Sequence, residues 1–485
     1  MESALPKSKR RLVIPCEREI NWFGEYRMLN VRQHSGELGK TLTLACPIMA
    51  GQVGQMLMGL ADTLMVGHVG TVPLAGAAFG TSLVSVAFVF GIGLLSSVGV
   101  LTSQAHGARM VQAIRTILPS SIWLSLASGA TLAILLVLLQ PCFFLFHQPP
   151  AVLDQALPFM VILGWSLVPA LAFMNAKTFC ESLSKPFVPM LMMYLGVGLN
   201  VFLNWVLIFG NLGAPSLGLM GAGWATLVSR IATMCGTLFY CLWVTGSNLS
   251  HLSPARAQLA TIRSLFKIGL PVGFQLLSEI GAFAFAAILM GLISTAALAA
   301  HQIAITCAAT TFMFPLGISQ AVTVRIGQAV GARSHSIVRI IAFGGIALSG
   351  FMMLAFATLY CGLSKSIAAM FNGDPEVVAL ASDLLIIAGS FQLADGVQVT
   401  AMGSLRGLAD VRVPMLLSFA FYWIVAIPIG YFGAFICRAG AVGIWNGLAI
   451  GLFTAAITLT ARVWWLTRPG KRHEVVLESL KSKAI

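Results

Sequence analysis

The sequence predicts an all-α membrane protein, with twelve transmembrane helices in two six-helix lobes. The first observation is composition, because 58% of the 485 residues are hydrophobic and only 9% are charged, whereas soluble domains carry about 25% charged residues. The second is that the apolar residues form long continuous runs, unlike the short alternating segments of a membrane β-barrel. The third is an internal repeat, in which both halves of the chain carry the same motifs at a nearly constant spacing.

Twelve apolar runs are long enough to cross a bilayer, since a helical span needs about 20 mostly apolar residues. The predicted spans are residues 41–66, 74–102, 116–140, 152–177, 188–210, 221–245, 264–292, 297–324, 337–363, 377–404, 413–436 and 441–466. A tight turn is predicted at Ser294 and Thr295, between spans seven and eight. Prolines inside the runs, such as Pro428, indicate positions where a span bends.

The positive charges are distributed unequally between the two sets of loops. The loops after odd-numbered spans hold only Lys365 and Arg438. The tails and the loops after even-numbered spans hold Arg109, Arg115, Lys185, Arg256, Arg263, Arg325, Arg333, Arg339, Arg406, Arg412, Arg468, Lys471 and Arg472. The positive-inside rule then predicts a multi-pass membrane protein with both termini in the cytoplasm. This placement explains the net charge of +13 without a nucleic-acid partner.

A shift of 224 residues aligns the first half of the chain with the second. Pro47 then falls on Pro271, and segment 88–109 falls on segment 312–333. Six spans is an even number, so both copies should insert in the same direction, related by a pseudo-two-fold axis along the membrane normal. The predicted domains are a cytoplasmic N-terminal tail (1–40), a first lobe (41–245), a cytoplasmic loop (246–262), a second lobe (263–466) and a cytoplasmic C-terminal tail (467–485). The sequence leaves open whether translation starts at Met1 or Met28, and what the N-terminal tail does.

Three carboxylates interrupt the apolar runs, namely Asp62 in span one, Glu279 in span seven and Asp395 in span ten. A charge in hydrocarbon is costly, and such residues usually face a polar interior or a cavity. The repeat does not duplicate these acids, since Asp62 aligns with Ala286 and Glu279 with Gln55. With few buried cations nearby, the acids would need a proton, a metal ion or an organic cation as a partner. The alternative is that each acid accepts a local hydrogen bond and only stabilises helix packing.

Neutral polar residues inside the spans are predicted to line the cavity near these acids. They are Gln55, Asn200, Asn204, His301, Gln302, Gln392 and Gln398. Asn200 and Asn204 lie one turn apart on one helical face, where interhelical hydrogen bonds would explain them equally well. Gln392 and Gln398 flank Asp395 at three residues on either side, so they could supply oxygen ligands or orient the acid.

Three further titratable residues lie in the predicted spans and need no role in transport. His301 is more typical of a hydrogen-bonded helix residue than of a pH sensor. Lys177 lies near the end of span four and is predicted to extend its ammonium group to the membrane interface. Arg230 lies inside span six, and the sequence does not identify its partner.

The sequence lacks the motifs of common enzyme classes. It contains no GxxxxGK[ST] phosphate loop, no HExxH and no GxSxG. No enzymatic activity and no cofactor are therefore predicted, and transport would run on an ion gradient. A receptor or scaffold that does not transport remains an alternative, although it would not need three buried acids.

Several motifs together resemble the multidrug and toxic compound extrusion (MATE) family, and in particular its bacterial NorM-type branch. They are ADTLMVG around Asp62, LPVGFQLLSE ending at Glu279, AAHQIA, MFPLGIS, and FQLADGVQVTAMGSLRG around Asp395. The resemblance covers about residues 40–466. The long N-terminal tail departs from the short tail that is usual in the family.

This resemblance implies a secondary antiporter with V-shaped lobes, which exports organic cations and drugs in exchange for Na⁺ or H⁺. It implies binding of the coupling cation and the substrate at Glu279 and Asp395, with Na⁺ as a possible ligand of both. It also implies a coupling role for Asp62 and cavity-lining roles for Asn200 and Asn204. A monomer in the plasma membrane, the inner membrane of a bacterium, is expected from the resemblance, and the choice between Na⁺ and H⁺ stays open. The alternative of related architecture is a flippase for a lipid-linked precursor, which would need a cationic cavity.

Overall fold

The computed structural model describes residues 22–146, 149–468 and 476. In this part of the chain, twelve helices are long and apolar enough to cross a membrane. They are α1 (Trp22–Gly67), α2 (Thr71–Gly107), α3 (Val111–Leu138), α4 (Pro150–Ser182), α5 (Phe187–Phe209), α6 (Leu219–Thr245), α7 (Leu259–Ile293), α8 (Thr295–Gly331), α9 (His335–Phe371), α10 (Pro375–Gly407), α11 (Arg412–Ile436) and α12 (Gly440–Leu466). The predicted number and order of the spans are confirmed.

Most of the helices are longer than the predicted spans. Residues 22–40, predicted as part of a tail, are helical and continuous with the first span. Helix α8 continues to Gly331, seven residues beyond the predicted end at 324. The cause is that hydropathy marks only the part of a helix that lies in hydrocarbon, whereas the backbone hydrogen bonding continues beyond it.

Two of the helices are irregular. In α4, separate helical segments, Pro150–Trp165 and Leu167–Ser182, meet at Ser166. In α11, two π-helical segments, Ala420–Ala426 and Phe432–Ile436, lie on either side of Pro428. Because proline has no backbone N–H, it interrupts the regular hydrogen-bond pattern, and wider turns beside it are a known response.

Helices α1–α6 form the first lobe and α7–α12 form the second. The packing inside the lobes follows the repeat, because α2 packs on α4 and α5 on α6, just as α8 packs on α10 and α11 on α12. Each lobe buries its own apolar side chains, with Leu163 in the first lobe and Trp445 in the second among them. The two-lobe architecture predicted from the repeat is therefore confirmed.

The lobes meet where α1 and α2 face α7 and α8. We call the side of the bundle at which α1 begins the basic side, since the arginine-rich loops lie there. Near this side, a Cβ atom on Gly107 would overlap the backbone carbonyl of Gln328, and one on Gly331 would overlap that of Gln104. The 224-residue shift interchanges these two contacts. The ends of α2 and α8 thus cross with their backbones in direct contact, which closes the basic side.

A second pair of contacts lies deeper in the bundle and obeys the same symmetry. Gly93 in α2 packs against the backbone of Gly273 in α7, and Gly317 in α8 packs against Met49 in α1. The shift again interchanges the two contacts. The interface between the lobes therefore extends from the basic side to about the middle of the bundle.

An asymmetric ion pair also joins the lobes on the basic side. Arg325 in α8 donates a hydrogen bond to the backbone carbonyl of Glu37 in α1 (2.5 Å), and it also contacts the Thr41 hydroxyl and the Glu37 carboxylate. The Glu37 carboxylate also pairs with Lys40 of its own helix at 2.8 Å. The repeat places Leu101 at the position equivalent to Arg325, so the Arg325–Glu37 ion pair has no symmetric copy.

Replacing Arg325 with alanine is expected to loosen the basic side. Hydrogen bonds to charged groups contribute about 1.5–3 kcal/mol, so amide hydrogen exchange at the basic ends of α1 and α8 should become about tenfold faster or more. Lys40→Ala is the matched control, because the Lys40 side chain is 68% exposed and is the other cation beside Glu37. Its removal should not separate the lobes. An equal increase in exchange for both variants would contradict a role of the Arg325–Glu37 ion pair in holding the lobes together.

Candidate functional site

In the second lobe, acidic residues from α7 and α10 lie beside a tyrosine from α11. The Tyr422 hydroxyl donates a hydrogen bond to Glu279 Oε1 (3.1 Å), and Gln398 Nε2 donates one to the Tyr422 hydroxyl oxygen (3.0 Å). Tyr422 is only 1% exposed and lies in a π-helical segment of α11. We call Glu279, Asp395, Gln398 and Tyr422 the second-lobe acid site.

Asp395 is the less satisfied of the two carboxylates in this site. It is 9% exposed and accepts no hydrogen bond from the residues that the structure describes. The charge of Glu279 acts on it unfavourably, while Arg406 lies within electrostatic range of Glu279. Repulsion between like charges is strong where the dielectric constant is low. The carboxylates of Glu279 and Asp395, with the Tyr422 hydroxyl, could therefore hold a small hard cation or a proton.

In the first lobe, Asp62 is hydrogen-bonded through both carboxylate oxygens. Asn204 Nδ2 donates to Oδ1 (2.6 Å), and the Thr226 hydroxyl donates to Oδ2 (3.1 Å). Asn204 Nδ2 also lies 3.2 Å from Asn200 Oδ1, and Asn200 Nδ2 lies 3.4 Å from the Thr226 hydroxyl oxygen. We call these four residues the first-lobe acid site. Both asparagines are fully buried, so in this conformation they orient the acid and do not face an open cavity.

Arg230 lies one helical turn from Thr226 in α6. Its Nη1 donates a hydrogen bond to the Ser166 hydroxyl (2.7 Å), at the junction of the two segments of α4. Its guanidinium carbon lies 5.5 Å from the centroid of the Phe88 ring. Asp62 is within electrostatic range of this cation. The partners that the sequence could not identify are thus a hydroxyl, an aromatic ring and a nearby carboxylate.

The two glutamines that flank Asp395 in sequence do not bind it. Gln392 Nε2 donates to the Thr311 hydroxyl (2.7 Å), and Gln398 donates to Tyr422. Both amides are buried. At a spacing of three residues from Asp395, both glutamines therefore bond to neighbouring helices. Only Gln398 belongs to the acid site, through its hydrogen bond to Tyr422.

The remaining predicted cavity residues form no side-chain hydrogen bond with the acids in the part of the chain that the structure describes. His301 is 2% exposed and accepts a hydrogen bond from Trp445 Nε1 (3.1 Å), so it does not line an open cavity in this conformation. Gln302 is exposed, and Gln55 is half-buried. The structure shows neither of these glutamines bonded to one of the three acids through its side chain.

The prediction that Lys177 extends to the membrane interface is wrong. Its Nζ atom lies 3.1 Å from Glu181 Oε1, and the side chains are 3% and 4% exposed, respectively. Because the carboxylate one turn further along α4 balances its charge, the ammonium group can stay inside the lobe. Sequence reasoning missed Glu181, although the four-residue spacing of opposite charges was a usable signal.

Sequence reasoning also missed Tyr422 and Thr226. A tyrosine in the middle of an apolar span was a usable signal, because its hydroxyl needs a partner when it is buried. Thr226 carried no such signal, since a helical threonine can satisfy its hydroxyl on its own backbone. The Ala222 carbonyl lies 2.9 Å from the Thr226 hydroxyl oxygen and competes with Asp62 for its single proton.

Two repeated six-helix lobes, each with a carboxylate held among polar groups, define a membrane protein of the two-lobed transporter class. The chain belongs to the MatE family. The model of that family matches residues 47–206 and again residues 271–432. The two matches begin 224 residues apart, which is the shift of the internal repeat.

Relatives and solved structures agree with this family. The chain is 36% identical over 455 residues to the probable multidrug resistance protein NorM of Pseudomonas putida, covering 91% of this chain and 98% of the relative. It is 29% identical to the multidrug resistance protein NorM of Aliivibrio fischeri, covering 93% and 99%. The eukaryotic MATE transporter AtDTX14 superimposes with a TM-score of 0.82 at 19% identity, covering 93% and 100%. The Vibrio cholerae MATE transporter VcmN in the bent form gives 0.81 at 20% identity, covering 90% and 98%. The predicted resemblance to the NorM-type branch and the predicted fold are confirmed.

Proposed function

We propose that this protein is a secondary active multidrug efflux antiporter, which exports organic cations in exchange for Na⁺ or H⁺. Membership of the MatE family and the NorM relatives support the multidrug efflux. The observation that carries the antiport is the second-lobe acid site, where Glu279 accepts a hydrogen bond from Tyr422 and the buried Asp395 accepts none from the residues that the structure describes. The same similarity to transporters supports a protein that is not an enzyme and uses no cofactor besides its coupling ion.

The closed basic side suggests how the cycle proceeds. Glu279 lies six residues beyond Gly273 in α7, about 9 Å further from the basic side than the contact between the lobes. We place the basic side in the cytoplasm, so this conformation is closed to the cytoplasm and the acids would be reached from outside. The protein would be a monomer in the bacterial inner membrane, with its termini in the cytoplasm.

Exchange would follow from competition for the same charges. Facing outward, Glu279 and Asp395 bind the coupling cation, and the drug leaves. Facing inward, the coupling cation leaves, and a drug cation binds to the same carboxylates. Because both cations use the same negative charges, each weakens the binding of the other, which is the negative coupling that antiport requires.

The test is efflux of ethidium from proteoliposomes, driven in turn by an imposed Na⁺ gradient and an imposed pH gradient. Flux under one gradient, and none in protein-free liposomes, is the expected result and identifies the coupling ion. No flux under either gradient, from protein shown to be folded, would contradict the antiport and favour the lipid-precursor flippase.

A further inference from the structure

The crossing of α2 and α8 on the basic side carries two equivalent glutamines that have different partners. Gln104 in α2 and Gln328 in α8 are 224 residues apart, which is the shift of the repeat. We propose that Val476, in the C-terminal segment, is a latch on the closed basic side, and that it binds Gln104 in place of the contact that Gln328 makes with the opposite lobe. This inference concerns the closed conformation and does not depend on what the protein transports.

Gln328 joins the two lobes directly through its side chain. Its Nε2 donates hydrogen bonds to the backbone carbonyl of Ser182 (2.9 Å) and to the hydroxyl of Ser184 (3.0 Å). Ser182 is the last residue of α4, and Ser184 follows it in the loop. A side chain of the second lobe therefore binds the end of a first-lobe helix, and these bonds must break when the basic side opens.

The second lobe cannot offer Gln104 the same partner. The residue equivalent to Ser184 is Ala409, which follows α10 and has the same left-handed backbone, with φ of 61° against 59°. In both loops the next residue donates its N–H to the carbonyl five residues earlier, so the two turns are alike. Alanine has no hydroxyl, however, and Gln104 Nε2 is buried without a hydrogen-bond partner among the described residues.

Val476 binds the other end of the same amide. Its backbone N–H donates to Gln104 Oε1 (3.1 Å). Its half-buried side chain packs against an apolar cluster to which both lobes contribute, with Leu101 from α2 and Val411 from the loop before α11. Val476 lies eight residues beyond Arg468, at the end of α12, so a chain of at most about 28 Å ties it to the second lobe.

These contacts favour the closed conformation. The backbone carbonyl of Gln104 faces Gly331 at the crossing of the lobes, so Val476 is bound at the crossing itself. Separating the lobes would remove Val411 from the cluster and expose apolar surface that Val476 helps to cover, which is unfavourable in water. The C-terminal segment thus completes on one side of the crossing what Gln328 and Ser184 do on the other.

The test is amide hydrogen exchange of the full chain in detergent, read at the basic ends of α2 and α8. Val476→Pro removes the N–H that Gln104 accepts, because proline has no backbone donor. Exchange at both helix ends should become about threefold faster or more, as expected for the loss of one hydrogen bond. Val476→Ile is the matched control, since it keeps the N–H and the apolar side chain, and it should exchange at the wild-type rate.

A second substitution separates the hydrogen bond from other effects of proline. Gln104→Leu removes the acceptor at similar side-chain size, so adding Val476→Pro to it should cause no further increase in exchange. Wild-type exchange in Val476→Pro, or the same increase with and without Gln104, would overturn the proposal.

Ala409→Ser tests the symmetry argument by rescue. It should give Gln104 the hydroxyl that Ser184 gives to Gln328, and in the Val476→Pro background it should recover at least about half of the lost protection. No recovery would overturn the statement that Val476 stands in for the missing hydroxyl contact. The exchange experiment uses no ion gradient, so failure of the latch leaves the proposed antiport standing, and failure of antiport in liposomes leaves the latch standing.

Discussion

Replacing Glu279 with glutamine is expected to abolish gradient-driven efflux while leaving the protein folded. Glutamine keeps the size of the side chain, and its carbonyl can still accept the hydrogen bond from Tyr422. It removes the charge that both the coupling cation and the drug would use, and it leaves Asp395 as the single carboxylate of the site. Loss of a charge interaction at about 4 Å corresponds to a reduction of the initial efflux rate on the order of 100-fold. The measurement is ethidium efflux from proteoliposomes under whichever gradient drives the wild type.

Two matched controls neutralise an acid outside the site. Glu376→Gln makes the same change in the exposed first turn of α10, and Asp383→Asn does so at an exposed position of the helix that carries Asp395. Both should retain the wild-type rate, and all three variants should elute as folded protein. Unchanged efflux by Glu279→Gln would contradict the assignment of the second-lobe acid site.

Replacing Gly331 with alanine is expected to stop transport by preventing closure of the basic side. The added Cβ would overlap the backbone carbonyl of Gln104, and a backbone atom cannot move aside as a flexible side chain can. Overpacking of this kind costs about 1–3 kcal/mol or more, so efflux should fall at least about tenfold. Amide hydrogen exchange at the ends of α2 and α8 should increase in the same variant, since the closed conformation is the one that loses stability.

A loss of transport in Gly331→Ala would have to come from the overlap with Gln104, because helix propensity alone favours alanine over glycine by about 1 kcal/mol. Gly198→Ala is the matched control, since its Cβ would meet nothing within 4 Å in α5. It should transport at the wild-type rate. The repeat interchanges the two contacts, so Gly107→Ala should reproduce the loss. Wild-type flux in both interface variants would contradict a tight closure of the lobes at these glycines.

The sequence by itself determined the class of fold, the twelve spans, the two-fold repeat and the three intramembrane acids. The reason is physical, because a bilayer requires each crossing segment to satisfy its own backbone hydrogen bonds, which makes span length and hydropathy sufficient to locate helices. A charge in such a segment stands out, so Asp62, Glu279 and Asp395 could be found without coordinates. The repeat likewise predicted that equivalent contacts would recur, as the Gly107 and Gly331 crossings show.

Only the tertiary structure decided which side chains meet. Asn204 bonds to Asp62, and Tyr422 bonds to Glu279, across more than 140 residues of chain. Hydropathy depends on each residue and its neighbours in sequence, whereas these contacts depend on how the helices rotate and cross. Local spacing misled for the same reason, because Gln392 lies three residues from Asp395 and yet bonds to Thr311 of another helix. The depth and spacing of a polar residue along a span can be predicted from sequence, but its partner depends on the neighbouring helix.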